Sequence, residues 1–260
     1  MELTLQLSGS NAGNPVKTRV LERSDIGHRA ENQDALGQRM VGDWLICVLA
    51  DGAGGHRGGE VASTHAVNAL LNEFALTPTQ DANQLLAMVH RVNSGILKSQ
   101  QLHSELENMH TTLCALVLNQ QSGQLVWLHV GDSRVYHFRS SELAARTKDH
   151  SVLQWMADHQ QTEPVPSRNA LYTALGEQPQ QLVVEVSPIS VAKPGDCVVL
   201  CSDGLWEHFS DSELALLTCN LRHDPTCTEH IHQLALDRAK GRADNLSSMF
   251  IFVEGVSSSG

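Results

Sequence analysis

Three things are scarce in this chain: basic side chains, long apolar runs and closely paired cysteines. Lysine and arginine number 18 against 29 aspartates and glutamates, a formal net charge of −11. A broad electrostatic attraction to nucleic acid or anionic lipid is therefore disfavoured, while the same excess suits divalent cations. No apolar run approaches the roughly 18 residues that a membrane-spanning helix needs, and no basic segment with a following apolar signal region opens the chain. A cytoplasmic protein that binds neither membrane nor nucleic acid is expected. The six cysteines, at 47, 114, 197, 201, 219 and 227, include no C-x-x-C pair, which predicts buried thiols in a reducing compartment. The fourteen histidines invite a zinc reading. Yet His230-x-His232 falls in a polar segment of an expected surface helix, with no cysteine or carboxylate at ligand spacing. No repeat or low-complexity linker divides the 260 residues. One domain over 1–254 is expected, with a frayed tail at 255–260, and a monomer.

What is present is a pattern of elements. Leu3, Leu5 and Leu7 alternate across Glu2 to Ser8, Val16 to Ser24 reads as a second strand, and the intervening Gly9 to Pro15 is turn chemistry, so a β-hairpin is predicted. Asp25 to Asp34 reads as a polar loop before a strand starting near Trp44. Helical spacing covers Gly58 to Leu76 and Leu85 to Leu102. Strands are predicted at Thr111 to Leu118, Gln124 to Val130 and Val135 to Arg139, which together suggest an antiparallel meander. Val152 to Ala157 reads as a capped short helix, and Asp158 to Asn169 as a polar loop able to form a rim. Strands at Leu182 to Val186 and Cys197 to Cys201, helices at Glu207 to Leu221 and Thr226 to Ala239, and a strand at Ser248 to Val253 close the chain. Strands grouped apart from long helices indicate an α+β sandwich, two mainly antiparallel sheets flanked by helices, over a parallel βαβ fold.

The organising stretch is Leu45 to His56, an apolar run that delivers Asp51 to small residues and a histidine. The device recurs at Val198 to Gly204, which presents Asp203, and at Leu125 to Ser133, which presents Asp132. Three strands ending in aspartate suggest one shared site. Asp34, Asp51, Asp132, Asp203 and Asp244 all follow or flank strands, and gathering like charges in a cleft is costly unless protons or cations neutralise them. All-oxygen ligands select hard ions, Mg²⁺ or Mn²⁺, and no histidine or cysteine set competes for zinc. Gly52 can add its backbone carbonyl. Two such ions about 3.5–4 Å apart can activate a bridging water for in-line phosphoryl displacement, which points to a phosphate ester hydrolase. Arg29 is suited to hold phosphate by its planar fork, and His56 to protonate a leaving alkoxide.

With those residues in view, the sequence resembles the metal-dependent Ser/Thr protein phosphatases of type 2C, the PPM family, in its compact bacterial form. The matching pieces are Asp25-x-Gly27-x-Arg29-x-x-Asn32-Gln33-Asp34, Ala50 to His56, Thr111-Thr112, Val130 to Tyr136, Lys148 to Ser151, Ala174 to Gly176, Ser202 to Trp206 and Asp244-Asn245, all in family order. The resemblance implies an αββα sandwich with the metal centre in a cleft between the sheets. Carried over, Asp51, Asp203 and Asp244 hold the first ion, Asp51 and the Gly52 carbonyl the second, and Asp34 acts directly or through water. Asp132 with Asp203 matches a third metal site, Arg29 the phosphate-binding arginine, His56 the general acid, and Asn245 a supporting residue behind the ligands. Gln33 stands where many members have glutamate, Ala53 where methionine is commoner, and His110 where glycine usually precedes the two threonines. The flap, Asp158 to Asn169, is short.

The implied activity is hydrolysis of phosphoserine and phosphothreonine on proteins, reversing a Ser/Thr kinase, with Mn²⁺ or Mg²⁺ as two ions and room for a third. Two alternatives stand beside it: a catalytically silent binder of phosphoproteins on the same fold, and a phosphatase acting on an anti-sigma-factor antagonist in partner switching. Bacterial relatives also oppose a kinase that controls type VI secretion, and the compact form is compatible with that role.

Overall fold

The computed structural model describes residues 13–256 apart from 55–57, 164–165, 168 and 225. In chain order the elements are β1 Val16–Asp25, β2 Asp34–Val41, β3 Trp44–Ala53, α1 Gly58–Leu76 and α2 Ala82–Leu102. The middle of the chain forms β4 His110–Thr111, β5 Leu113–Asn119, β6 Gln124–Val130, β7 Arg134–Arg139, β8 Glu142–Arg146 and α3 Val152–Asp158. Then come β9 Glu185–Val186, β10 Ser190–Val191, β11 Cys197–Cys201, α4 Asp203–Trp206, α5 Asp211–His223, α6 Cys227–Ala239 and β12 Leu246–Gly255.

The strands form two sheets, ordered β1-β12-β11-β7-β8 and β10-β6-β5-β3-β2, with β4 paired to β3 and β9 to β6. All pairings are antiparallel. The central strands read as unbroken apolar runs because both of their faces are buried. Along β3, Leu45, Cys47 and Leu49 meet Val198 and Leu200 of β11 and Met249 and Ile251 of β12 in a core between the sheets. The alternate residues Ile46, Val48 and Ala50 pack under α1 and α2 with Leu70, Phe74 and Val89. On the other side Val199, Phe250 and Phe252 pack under α5 and α6 with Leu214 and Ile231. Helices, sheet, sheet and helices thus stack as an αββα sandwich, as expected.

Several boundaries depart from the sequence reading. The predicted Glu2 to Ser8 strand lies outside the described residues. β2 and β8 were not anticipated: β2 carries Gly37 and Arg39 and β8 is largely exposed, so neither shows the burial signal that strand reading relies on. The predicted meander is not formed. β5 and β6 pair, but the chain crosses to the other sheet at Gly131, where β7 joins β11. Gly131 makes the crossing at φ +98°, with a Cβ position only 2.7 Å from the Thr112 methyl, a conformation and approach open to glycine alone. The helix read over Glu207 to Leu221 begins only at Asp211, where Ser210 and Glu213 form a capping box, and Asp203–Trp206 forms the separate short α4. Gly255, assigned to the tail, is the last residue of β12 and pairs with Val16.

Two side-chain expectations also need correction. Cys47, Cys114, Cys197 and Cys201 are buried, but Cys219 is exposed and Cys227 intermediate. His232 is buried on the inner face of α6, where its ring bridges Asp25 Oδ2 (2.6 Å) and Ser248 Oγ (2.8 Å). It ties α6 to β1 and β12. Among the described residues, no helix is long and apolar enough to cross a membrane.

Leu200 is fully buried between the sheets. Leu200→Ala should destabilise the protein by about 2–5 kcal/mol through lost transfer energy and a residual cavity, measured by urea unfolding. A change under 0.5 kcal/mol would contradict the assignment of this cluster as the inter-sheet core.

Candidate active site at the ends of the two sheets

The crossed sheets present strand ends of both on one side, and a cleft of about 740 Å³ opens there. Its lining includes Arg29, Gln33, Asp51, Gly52, Asp132, Asp203, Asp244 and Asn245. Asp51 lies near the end of β3, Asp132 follows β6, Asp203 follows β11, and Asp244 precedes β12. Asp34, at the start of β2, is the direct cross-strand partner of Asp51 and lies behind the cleft wall. His56 lies outside the described residues. All the other expected site residues are brought together.

Several of the carboxylates are held in place by groups from other elements. The Asp51 N–H donates to Thr112 Oγ1 (2.9 Å), and the Asp51 carbonyl accepts from Thr111 Oγ1 (2.9 Å) and from the Thr112 N–H (2.8 Å). Thr112 Oγ1 in turn meets Ser133 Oγ at 2.7 Å. The Asp132 carbonyl accepts from Trp206 Nε1–H (3.0 Å), and Trp206 lies under the Arg134 guanidinium at 3.4 Å. Arg134 makes a two-pronged pair with Asp149, both bonds 2.7 Å. Ser202 Oγ donates to Asp34 Oδ2 (2.8 Å). Asn245 clamps the loop that carries Arg29: its amide donates to the carbonyls of Ile26 and Glu31, both at 2.9 Å, and its Oδ1 accepts the Gln33 N–H (2.9 Å). Gly52 must be glycine, since a Cβ there would lie 2.1 Å from the Gly59 carbonyl oxygen and 2.7 Å from that of Gln33.

Electrostatics make the cluster suited to cations. Burial first, then the neighbouring carboxylates Asp34 and Asp203, push Asp51 well above the usual carboxylate range. Burial with Asp132 and Asp244 pushes Asp203 up to about 8. Burial raises Asp34 to about 6, with Asp244 adding to the rise, and burial with Asp149 raises Asp132 to about 6. Among the described residues, Asp34 Oδ1 is buried without a hydrogen-bond partner. Carboxylates so placed resist ionising together unless positive charge joins them, and all-oxygen donors suit Mg²⁺ or Mn²⁺. The residues therefore fit divalent ions. Arg29 Nη2 contacts Asp244 Oδ2 at 2.5 Å, so the one guanidinium on the cleft's loop already neutralises part of this charge.

Sequence reading assigned no role to Thr112, Ser133, Ser202 or Trp206, although Thr112, Ser133, Ser202 and Trp206 lay inside its matching motifs. Their hydroxyls and ring N–H act on residues far away in the chain, which local spacing does not show. His110 also lines the cleft; its Nδ1–H donates to the Asn108 carbonyl (2.9 Å), and its Nε2 lies 3.7 Å from Glu177 Oε1.

The protein phosphatase 2C model matches residues 23–247, and the chain belongs to that family. It is 36% identical over 208 residues to the serine/threonine protein phosphatase PstP of Mycobacterium tuberculosis. That match takes in 75% of this chain but spans only 38% of the relative's length. The solved catalytic domain of PstP in complex with two manganese ions is 31% identical, with a TM-score of 0.77 over 92% of this chain and 99% of that one. PppA, a regulatory component of type VI secretion in Pseudomonas aeruginosa, is 29% identical, with a TM-score of 0.75 over 92% of this chain and 100% of that one.

The raised carboxylates set a pH dependence. Between pH about 4 and about 8 the folded, chelator-treated protein holds more protons than the unfolded chain, so its stability should fall as pH rises through that window. Protons and cations compete for the same oxygens, so Mn²⁺ affinity should climb over the same range. Thermal unfolding with and without Mn²⁺ across pH 5 to 8 checks both signs, and pH-independent Mn²⁺ binding would contradict the cluster's role.

Proposed function

We propose that this chain is a metal-dependent phosphatase acting on phosphoserine and phosphothreonine of proteins in the cytoplasm. The observation that carries the reading is the convergence of Asp51, Asp132, Asp203 and Asp244 on one cleft beside Arg29, with Asp34 paired to Asp51 behind it. In this reading Asp51, Asp203 and Asp244 hold one ion, Asp51 and the Gly52 carbonyl a second, and Asp132 with Asp203 a third; Asp34 acts from behind, directly or through water. The manganese pair in the PstP structure supports the count of two. Bound there, a pair of divalent ions supplies an activated water at neutral pH and Lewis-acid stabilisation of phosphoryl charge.

The chain's own residues supply the rest. Asp244 serves as a ligand while its partner Arg29 turns its fork to the phosphoryl oxygens, where bidentate donation holds the group in line and offsets developing charge. Thr111 and Thr112 fix the Asp51 backbone, Asn245 fixes the Arg29 loop, and Gln33 braces Gly52 through its carbonyl. The proton needed by the departing seryl or threonyl oxygen comes from His56 or from solvent. No cysteine acts as nucleophile. An opposing Ser/Thr kinase is part of this proposal, and the likeness to PppA favours control of type VI secretion as its setting.

Turnover of p-nitrophenyl phosphate and of a phosphothreonine peptide should require Mn²⁺ or Mg²⁺ and vanish with chelator. Asp203→Ala should abolish it. Arg29→Ala should lower kcat/KM by about 10²–10³, the usual effect of losing one donor to transition-state charge. Full activity after chelation, or in Asp203→Ala, would sink the reading.

A further inference from the structure

A second group of metal-ligating side chains lies outside the aspartate cleft. His129 sits on β6, and its direct cross-strand partner is Glu185 on β9, so both side chains share one face of the sheet. His150, in the segment after β8, is set against them: its backbone N–H donates to the Gly131 carbonyl (2.8 Å), its carbonyl accepts the Tyr172 N–H (3.0 Å), and its ring lies 4.4 Å from that of His129. One ligand atom from each of the three lies within 4.8 Å of the others. Glu185 Oε2 is 3.8 Å from His129 Nδ1, and Glu185 Oε1 is 3.6 Å from His150 Nε2.

Those separations are too long for hydrogen bonds. His129 is fully buried, yet both of its ring nitrogens lack a partner, as does His150 Nε2. Buried polar nitrogens left so are costly, and two of them, His129 Nδ1 and His150 Nε2, face Glu185 across one gap that calls for an occupant. The His150 ring resists protonation: burial, and then the neighbouring His129, hold it down to about 4. The carboxylate end is half-exposed, with Glu185 53% accessible at its side chain, so the gap has an entry from solvent.

We propose that His129, His150 and Glu185 form a zinc site distinct from the aspartate centre. Two neutral imidazoles and one carboxylate make a ligand set that zinc takes with a fourth position left for water, whereas Mg²⁺ and Mn²⁺ prefer the all-oxygen cleft. Tetrahedral bonds of about 2.1 Å place ligand atoms roughly 3.4 Å apart, so small side-chain rotations close the set. Ligation has one local cost. His150 Nδ1 now accepts the Gly131 N–H at 3.2 Å. When Nε2 binds zinc, the ring's single proton moves to Nδ1 and that bond is given up. Gly131 immediately precedes Asp132, so filling the site loosens the peptide that sets Asp132. On the phosphatase reading above, zinc here would weaken the ion held by Asp132 without displacing the pair at Asp51.

The test is crystallographic and solution-based. Crystals of the full chain grown with Mg²⁺ and soaked in Zn²⁺ should show anomalous scattering at the zinc edge within bonding distance of all three side chains. In solution, competition with a chromophoric chelator should give one tight zinc equivalent that survives in Asp51→Ala, which uncouples the measurement from phosphatase activity. Glu185→Gln should weaken that equivalent by about a hundredfold or more, since even partners behind the ligands change affinity by 10–100-fold. Its fold and its Mg²⁺-dependent turnover of p-nitrophenyl phosphate should be unchanged. A water in the gap with zinc only at the aspartates, or Glu185→Gln binding zinc as the parent does, would overturn the proposal.

Discussion

The repulsion among carboxylates that the fold forces into one cleft is the constraint on which the rest of this structure depends. Asp51 and Asp203 cannot both ionise cheaply beside Asp132, Asp244 and Asp34 unless cations join them. Such an arrangement survives only on a rigid support. Each aspartate therefore sits at or beside a strand end, and three are anchored from other elements: Thr111 and Thr112 hold the Asp51 backbone, the Trp206 indole the Asp132 carbonyl, and the Ser202 hydroxyl the Asp34 carboxylate. The charges face the cleft while the peptides that carry them are locked into the sheets.

The three apolar layers provide the rigidity. Leu45, Leu49, Val198, Leu200, Met249 and Ile251 hold the sheets face to face, so the ends of β3, β6 and β11 and the start of β12 stay in fixed relation. The helices cover the outer faces and take no part in lining the aspartate cluster except through the short α4, which begins at Asp203. Arg134 shows how the two requirements meet. It pairs with Asp149, covers the Trp206 ring and so braces the residue whose N–H fixes the Asp132 carbonyl.

Much of this was legible in the chain. β6, β11, α1 and the capped α3 were read with accurate or nearly accurate bounds, because each carries a strong local signal: a buried apolar run, a helical stripe or a serine cap. The aspartates stood out because the strand-to-aspartate device repeats. Elements without such a signal were missed. β2 and β8 are edge or near-edge strands with polar and small residues, and the turn from β6 to β7 looks like a hairpin although it changes sheets. The two histidines of His230-x-His232 look equivalent in sequence, yet only His232 faces inward, where Asp25 and Ser248 receive it.

Local chemistry written along the chain was therefore enough to show an α+β protein with carboxylates suited to hard divalent ions, because strand periodicity and the run of carboxylates after apolar segments are short-range properties. The pairing of Asp34 with Asp51, the clamp of Asn245 on the Arg29 loop, and the meeting of His129, His150 and Glu185 were decided only by tertiary structure. Asn245 and Gln33 are 212 positions apart, and His129 and Glu185 become neighbours only through the pairing of β6 with β9. Contacts of that range depend on how sheets register and cross, which no spacing within a single segment encodes.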